Sequence, residues 1–214
     1  MTIYICGDST AATYETERAP ITGWGQVLGE MLPGVKVENR AVGGRSTKSF
    51  LSEGRLLAIE KVIQPGDLLL IQFTHNDGSD LVWRHTDPWT SFTKNLEIFI
   101  DTALEAGAQP VLLTPICRRY WRNGKLIHAH GDYPKAIRTL ARKRNLPLIE
   151  VEEKSMDYVR KLGEEESRKL FMHVEKGIYP DYPDGQADDT HTQRAGAEAW
   201  AAIVTEGLKE TGLV

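Results

Sequence analysis

The stretch T-I-Y-I-C-G-D-S-T, from Thr2 to Thr10, carries the clearest fold signal in the chain. Its first five residues form a short apolar run that is typical of a buried strand, and G-D-S-T then ends that run with turn-forming residues. Ser9 therefore stands at the carboxyl end of a predicted core strand. In open parallel sheets, this is the edge at which ligands bind.

Similar apolar runs recur along the chain, with helical segments between them. The runs cover residues 2–6, 35–41, 68–73, 110–115 and 146–151. Segments with helical periodicity or composition cover residues 24–32, 53–63, 91–106, 134–144, 154–162, 165–173 and 195–209. This alternation predicts an α/β fold, a three-layer α/β/α sandwich around a mostly parallel five-stranded sheet. We expect the flavodoxin-like strand order 2-1-3-4-5.

The composition is that of an ordinary globular protein. Hydrophobic residues make up 41% of the 214 residues and charged residues 26%, which argues against a disordered or fibrous class. No linker rich in proline, glycine or serine divides the chain, so we predict one domain over residues 1–214. Residues 175–189, crowded with glycine, proline, aspartate and tyrosine, are predicted to form a long functional loop.

Charge and hydropathy exclude several classes of partner. The net charge of −4, with basic residues spread along the chain, disfavours binding to nucleic acid. No apolar run approaches the roughly 20 residues of a membrane span, and the first residues lack the pattern of a signal peptide. We therefore expect no membrane association and a cytoplasmic location, and we leave the oligomeric state open. Cys6 and Cys117 lie in or just after apolar runs and are predicted to be free buried thiols.

Three loops that follow predicted strands should face the same crevice. The first carries Ser9, the second is A-V-G-G-R-S with Gly43 and Gly44, and the third is T-H-N-D with Asn76. Glycine lets a backbone N–H approach a ligand closely, and asparagine supplies an amide donor. Two backbone donors and one amide around a single point would form an oxyanion hole.

A nucleophilic serine also needs a base, and D-D-T-H before the last predicted helix supplies one. In a helical or turn conformation, Asp188 can reach Nδ1 of His191 and leave Nε2 free to face Ser9. Each motif alone is more often structural, and D-D-T-H is also typical of a helix N-terminus capped by Asp189 or Thr190. Four such motifs in this order favour a hydrolytic site.

These four blocks resemble those of the SGNH (GDSL-type) hydrolases over nearly the whole chain. Within that family, G-D-S-T, N-R-A-V-G-G-R-S-T-K-S-F, Q-F-T-H-N-D and D-D-T-H-T-Q-R-A-G-A are most similar to the rhamnogalacturonan acetylesterases. The resemblance implies the SGNH hydrolase fold, with Ser9 as nucleophile, His191 as base and Asp188 as its orienting group. It also implies three oxyanion donors, which are the N–H groups of Ser9 and Gly44 and the side chain of Asn76.

The resemblance implies removal of acetyl groups from pectin-derived oligosaccharides through an acetyl-serine intermediate, with no cofactor and no metal. An acetyl esterase acting on xylan fragments or other small acyl esters would share these residues. A carbohydrate-binding protein without activity is the third alternative. One position departs from the family pattern, because Thr74 stands where the third block usually has glycine, and a β-branched residue tolerates positive φ poorly.

Aromatic and basic side chains in the predicted loops support a carbohydrate substrate. Flat rings can stack on sugar faces, and arginines can pair with the carboxylates of galacturonate. The aromatic candidates are Trp83, Trp89, Tyr120, Trp121, Tyr179 and Tyr182, and the basic candidates are Arg45, Arg118, Arg119 and Arg122. The histidines 75, 85, 128 and 130 are interpreted as loop residues or substrate contacts, since H-A-H has no evident third metal ligand. The foremost substrate-binding candidates are Arg45, His75, Trp83, Trp121 and Tyr179.

Overall fold

The computed structural model describes residues 1–214 and has a five-stranded parallel sheet at its centre. The strands of the chain are β1 (Thr2–Gly7), β2 (Lys36–Asn39), β3 (Leu68–Gln72), β4 (Gln109–Leu113), β5 (Trp121–Arg122), β6 (Lys125–Leu126), β7 (Leu148–Ile149), β8 (Phe171–Val174) and β9 (Gln186–Thr192). The central sheet has the order β2-β1-β3-β4-β7, and β5–β6 and β8–β9 are separate antiparallel hairpins. This confirms the predicted order, because β7 is the fifth strand of the central sheet.

Helices cover both faces of the sheet. They are α1 (Trp24–Val27), α2 (Thr47–Ser52), α3 (Arg55–Glu60), α4 (Thr93–Glu105), α5 (Tyr133–Arg144), α6 (Val151–Glu166) and α7 (Arg194–Glu210). Short 3₁₀ helices cover Thr16–Arg18, Leu28–Met31 and Ser167–Leu170, and a π-helical turn covers Pro88–Phe92. None of the helices combines the length and the apolar character that a membrane span requires.

Strand β1 shows how the sheet builds two cores. Ile3 and Ile5 contribute to one hydrophobic cluster, whereas Tyr4 and Cys6 contribute to the other, since successive side chains of a strand point to opposite faces. Trp24 and Trp200 complete the first cluster beneath α1, α6 and α7; Phe50, Leu56, Phe99 and Ile137 complete the second beneath α2 to α5. The three predicted layers are therefore confirmed, and both cysteines are buried and free.

The predicted helix at residues 165–173 is helical only as far as residue 170, and its last three residues form a strand instead. The chain leaves α6, forms a 3₁₀ turn over Ser167–Leu170 and then enters β8, in which Phe171 and Met172 are buried. Pairing with β9 supplies the backbone hydrogen bonds of this segment, so a long-range contact overrides a helix-favouring composition. The predicted loop at residues 175–189 ends earlier for the same reason, because Gln186 already belongs to β9.

The topology brings the ends of β1, β3 and β9 together. Gly7 at the end of β1 lies level with Gln72 at the end of β3. The end of β9 is tied to the segment before α1, because Thr22 donates its backbone N–H to the carbonyl of Thr192 and the Thr192 hydroxyl donates to the carbonyl of Thr22. The residues that follow β1 thus lie beside the residues that end β9.

Candidate active site

Ser9, His191 and Asp188 form one hydrogen-bonded line. The Ser9 hydroxyl lies 2.9 Å from Nε2 of His191, and Nδ1 of the same ring lies 2.7 Å from Oδ2 of Asp188. Ser9 follows β1 and is partly exposed, whereas the other two residues lie 179 and more positions later, on β9. The structure therefore brings the three predicted residues together in the geometry of a serine–histidine–aspartate triad.

Asp188 and His191 lie on β9, in a local turn within the strand rather than in a helix. Within β9 the carboxylate Oδ1 of Asp188 accepts the backbone N–H groups of Thr190 and His191, at 2.7 and 3.0 Å. This local turn brings the side chains of residues 188 and 191 to the same side of the strand. Burial raises the pKa of Asp188, but the His191 ring and the two backbone donors outweigh it and lower that pKa to about 2.

Asp189 does not cap the last helix, and Thr190 does not either. Helix α7 begins at Arg194 after Gln193, with no side-chain cap. Asp189 instead accepts hydrogen bonds from Arg119, at 2.8 Å, and from Nε2 of His173, at 2.7 Å. These contacts join β8, β9 and the segment after β4, and they hold the hairpin that carries His191.

One backbone N–H in the first loop and one in the second have no hydrogen-bond partner in the protein. The N–H groups of Ser9 and Gly44 donate to no protein acceptor in the structure. Gly44 has φ of +78°, in the left-handed region that glycine adopts without strain. Gly43 packs against the serine, since a Cβ at this position would lie 3.7 Å from the Cβ of Ser9. The second loop thus approaches the hydroxyl closely through its backbone.

Asn76, in the third loop, is held by contacts with the second loop and with Arg84. Its Nδ2 donates to the carbonyl of Arg45 at 3.0 Å, and its Oδ1 accepts from Nη1 of Arg84 at 3.0 Å. One N–H of the amide remains for a ligand. Thr74, where a glycine was expected, has φ of 132°, so this β-branched residue keeps the positive-φ backbone at a cost in strain.

Buried carboxylates support the first and third loops. Asp8 accepts the backbone N–H and hydroxyl of Thr10, at 3.0 and 2.7 Å, and burial raises its pKa to about 6. Asp77 accepts the backbone N–H of Thr47 at 3.1 Å and the hydroxyls of Thr47 and Thr86 at 2.6 and 3.1 Å, and burial raises its pKa to about 7. Both groups thus anchor the loops that carry Ser9 and Asn76.

The aromatic residues predicted to contact substrate differ in how much of each ring is exposed. Trp83 is about half exposed, and the Arg84 guanidinium lies 5.3 Å from its ring centroid. Trp121 packs partly against the first core, Tyr179 is half-buried in a bridge with Tyr182, and Trp89 and Tyr120 are about half exposed. These positions leave Trp83, Trp89 and Tyr120 with the largest free ring surfaces.

Two of the predicted arginines are engaged elsewhere. Arg45 donates through Nε to Glu53 at 3.1 Å and through Nη1 to the carbonyl of Gly43 at 2.9 Å. Arg119 is buried and pairs with Asp189. Arg119 is therefore a structural residue rather than a substrate contact, whereas Arg122 is exposed on the β5–β6 hairpin.

His75 and His130 lie in loops, as predicted, but both side chains are buried. His75 Nδ1 lies 3.3 Å from Nε2 of His130, and Nδ1 of His130 lies 3.5 Å from the buried Glu152. Burial lowers the pKa of both histidines, and for His75 the neighbouring His130 and Arg118 lower it further. Both rings are consequently neutral at pH 7.

The H-A-H motif does acquire carboxylate neighbours in the fold. Ligand atoms of His128, Glu152 and Glu153 lie within 4.8 Å of one another, so the expectation that no third ligand is near fails in three dimensions. Arg138 occupies this cluster, donating to Glu152 at 3.1 Å and lying 3.7 Å from Glu153. Its guanidinium already neutralises the carboxylates that a cation would need.

Arg84 is the site residue that the sequence did not reveal. It contacts Asn76 and, at 3.4 Å, the carbonyl of Gly44. Its segment, D-L-V-W-R-H, has neither a motif nor a strand end to mark it, and its role depends on the path of the loop between β3 and α4.

Comparison with known proteins agrees with this geometry. The sequence matches the GDSL-like Lipase/Acylhydrolase family over residues 5–199. It is 43% identical over 213 residues to the Rhamnogalacturonan acetylesterase RhgT of Bacillus subtilis (strain 168), covering 99% of this chain and 90% of that protein. It is 41% identical over 213 residues to the Probable rhamnogalacturonan acetylesterase YesY of the same organism, covering 99% and 94%.

A solved structure is similar at the level of the whole chain. The crystal structure of the Bacillus subtilis protein YxiM matches with a TM-score of 0.81 and 31% identity, covering 99% of this chain and 56% of that one. The family match spans most of the chain, and the resemblance stated from the four sequence blocks is confirmed. The chain therefore belongs to the GDSL-like lipase/acylhydrolase family, and it is an esterase.

Proposed function

We propose that this protein is a serine carbohydrate esterase that removes acetyl groups from the sugar hydroxyls of rhamnogalacturonan-derived oligosaccharides. The observation that carries the proposal is the line from the Ser9 hydroxyl through His191 to Asp188, at 2.9 and 2.7 Å, beside free N–H groups of Ser9 and Gly44. Relatives named as rhamnogalacturonan acetylesterases, similar over 99% of the chain, support a carbohydrate acetylesterase.

The first half of the reaction acylates the serine. His191 accepts the proton of the Ser9 hydroxyl at Nε2 while Oγ attacks the acetyl carbonyl, and the Asp188 carboxylate stabilises the imidazolium through Nδ1. The developing oxyanion accepts hydrogen bonds from the Ser9 and Gly44 N–H groups and from the amide of Asn76. Collapse of the tetrahedral intermediate breaks the ester C–O bond, and His191 returns the proton to the departing sugar oxygen.

The second half regenerates the serine. Water gives a proton to His191 and attacks the acetyl-serine carbonyl, the same three donors hold the oxyanion, and acetate departs as Ser9 recovers its proton. The low pKa of Asp188 keeps its carboxylate ionised through both halves. Each proton that leaves a nucleophile is thus returned to a leaving group by one imidazole.

The surroundings of the site suit a sugar better than a fatty acyl chain. The cavity of about 530 Å³ next to Asn76 is lined by eleven residues, of which two are hydrophobic, and it contains arginine, histidine and aspartate side chains. The exposed ring of Trp83 directly precedes Arg84 in the chain, and the exposed ring of Tyr120 lines an adjoining cavity together with Arg118. A long alkyl chain would find little apolar surface there.

Acetate release tests the proposal. Wild type and Ser9→Ala would be compared on acetylated rhamnogalacturonan oligosaccharides and on acetylated xylo-oligosaccharides, with Ser52→Ala, on α2, as a matched control serine. We expect serine-dependent release chiefly from the pectin fragments, and stoichiometric labelling of Ser9 by an organophosphate. Release chiefly from xylan fragments would overturn the substrate class, and an inert Ser9 with no release would overturn the enzymatic function.

A further inference from the structure

Two arginines without acidic partners line the cavity next to Asn76. Arg84 and Arg118 both face this space of about 530 Å³, and neither forms an ion pair with a carboxylate of the protein. The other arginines near the site, Arg45 and Arg119, are paired with Glu53 and Asp189. Both guanidinium groups without an acidic partner therefore lie in the one cavity next to Asn76.

Neutral contacts fix both guanidinium groups. Nη2 of Arg118 donates to the carbonyl of His75 at 3.1 Å, and Nη1 of Arg84 donates to Oδ1 of Asn76 at 3.0 Å. The Nε atoms of both arginines are buried without a hydrogen-bond partner. A planar guanidinium that is already oriented and lacks a counter-charge is suited to bind a carboxylate through paired N–H donors.

The remaining charges of the cavity leave it positive. Asp80 also lines it, is exposed and offsets one arginine. His75 and His130 contribute no charge at pH 7, because burial lowers the pKa of both. The lining thus carries two positive charges and one negative charge.

His75 lines this cavity and has one ring nitrogen without a hydrogen-bond partner. The Glu152 carboxylate favours a proton on the nearer nitrogen of His130, Nδ1, at 3.5 Å, so that Nε2 of His130 accepts from Nδ1 of His75 at 3.3 Å. Nε2 of His75 is then an unprotonated acceptor, and it is buried without a partner. The complementary group on a ligand is a hydroxyl, which a sugar supplies.

Arg118 connects this cavity to the strand that carries His191. It also lines a second cavity of about 420 Å³, together with Thr190 and Asp189 of β9 and Tyr120. The two cavities therefore meet at its side chain.

We infer that the cavity next to Asn76 is a uronate subsite, in which Arg118 binds the carboxylate of a galacturonate residue and Nε2 of His75 accepts a hydrogen bond from a sugar hydroxyl. Arg84 adds a second positive charge at the same place. The inference rests on the proposed function, because it names how that site recognises an acidic oligosaccharide.

The test compares Arg118→Gln with wild type on an acetylated rhamnogalacturonan oligosaccharide and on the same compound with its carboxylates methyl-esterified. Loss of a charge-assisted contact is expected to raise KM for the acidic substrate about ten- to a hundredfold, with little change in kcat. KM for the methyl ester should change by less than about twofold, and Arg118→Lys should recover part of the loss on the acid. Arg142→Gln, an exposed arginine without an acidic partner at the far end of α5, is the matched control.

Equal increases in KM on both substrates would overturn the inference, since Arg118 would then act through the backbone of His75 rather than on the carboxylate. Unchanged KM on the acid would overturn it as well. Calorimetric titration of the deacetylated acid into Ser9→Ala, with and without Arg118→Gln, separates the two proposals. Arg118-dependent binding to Ser9→Ala, together with a wild-type protein that releases no acetate, would keep the subsite and refute the esterase proposal.

Discussion

Asn76 is the side chain whose replacement tests the oxyanion site most directly. Its amide has two N–H groups, of which one is used by the carbonyl of Arg45 at 3.0 Å, so one remains for substrate. Asn76→Ala removes that single donor. Loss of one oxyanion donor lowers kcat by about 10² to 10³, which corresponds to about 2.7 to 4 kcal/mol of transition-state stabilisation.

The alanine variant also loses its contacts with Arg45 and Arg84, and an aspartate variant separates these effects. Asn76→Asp keeps the size of the side chain and an acceptor for Nη1 of Arg84, but it replaces the N–H donors by a carboxylate oxygen. Because negative charge would then face the developing oxyanion, kcat should fall at least as far as in alanine.

The assay is hydrolysis of 4-nitrophenyl acetate, with kcat and KM measured separately and folding checked by circular dichroism and thermal unfolding. KM should change little, since the donor acts on charge that appears only in the transition state. A folded Asn76→Ala within tenfold of wild type would remove Asn76 from the oxyanion site. An active Asn76→Asp would show that the residue only holds Arg84 in place.

Three further predictions concern stability. The pKa of Asp188 is lowered from 3.8 to about 2, so the free energy of unfolding in urea at pH 6 should be about 2 kcal/mol higher for wild type than for Asp188→Asn. This difference should disappear as the pH falls from about 4 to 2, and a difference that does not depend on pH would contradict the prediction. The pKa of Asp77 is raised from 3.8 to about 7, so its ionisation lowers the stability of the folded protein as pH rises through this range. The free energy of unfolding of Asp77→Asn should therefore rise relative to that of wild type between pH 4 and 8, and a constant difference between the two proteins would refute the assignment. Gly196→Ala should lower the free energy of unfolding by about 1 to 3 kcal/mol, because a Cβ there would collide with the backbone carbonyl of Leu170. Gly29→Ala is the control and should have no effect, since the atoms nearest to a Cβ at that position are 3.7 Å away. Equal melting temperatures for the two variants would show that α7 can shift to make room for the methyl group.

The central sheet was predictable because its strands carry local signals. Short apolar runs bounded by turn residues, such as residues 2–6 followed by G-D-S, need no knowledge of their partners to be assigned as buried strands. Once the sheet is parallel, the carboxyl ends of its strands share one edge, which is why Ser9, Gly44 and Asn76 could be placed near one another.

The hairpin that carries His191 was predictable only in part. D-D-T-H was placed correctly in the chain and near Ser9, but its strand conformation was missed, as was β8. Segment 171–174 forms a strand through pairing with β9, in which His173 pairs with Ala187 and Val174 with Gln186. The local composition of either segment does not indicate that the two will pair.

By itself, then, the sequence determined the sheet, its edge and the candidate reactive groups, since short-range periodicity sets which side chains face the core and where each strand stops. Only the tertiary structure decided which charges are paired. Arg119 and Arg118 are neighbours in sequence, yet one is buried against Asp189 and the other lines a cavity without an acidic partner. The difference arises because the two arginines contact residues that are 43 and 70 positions away in the chain. The electrostatic environment of a charged group depends on the residues that the fold places beside it.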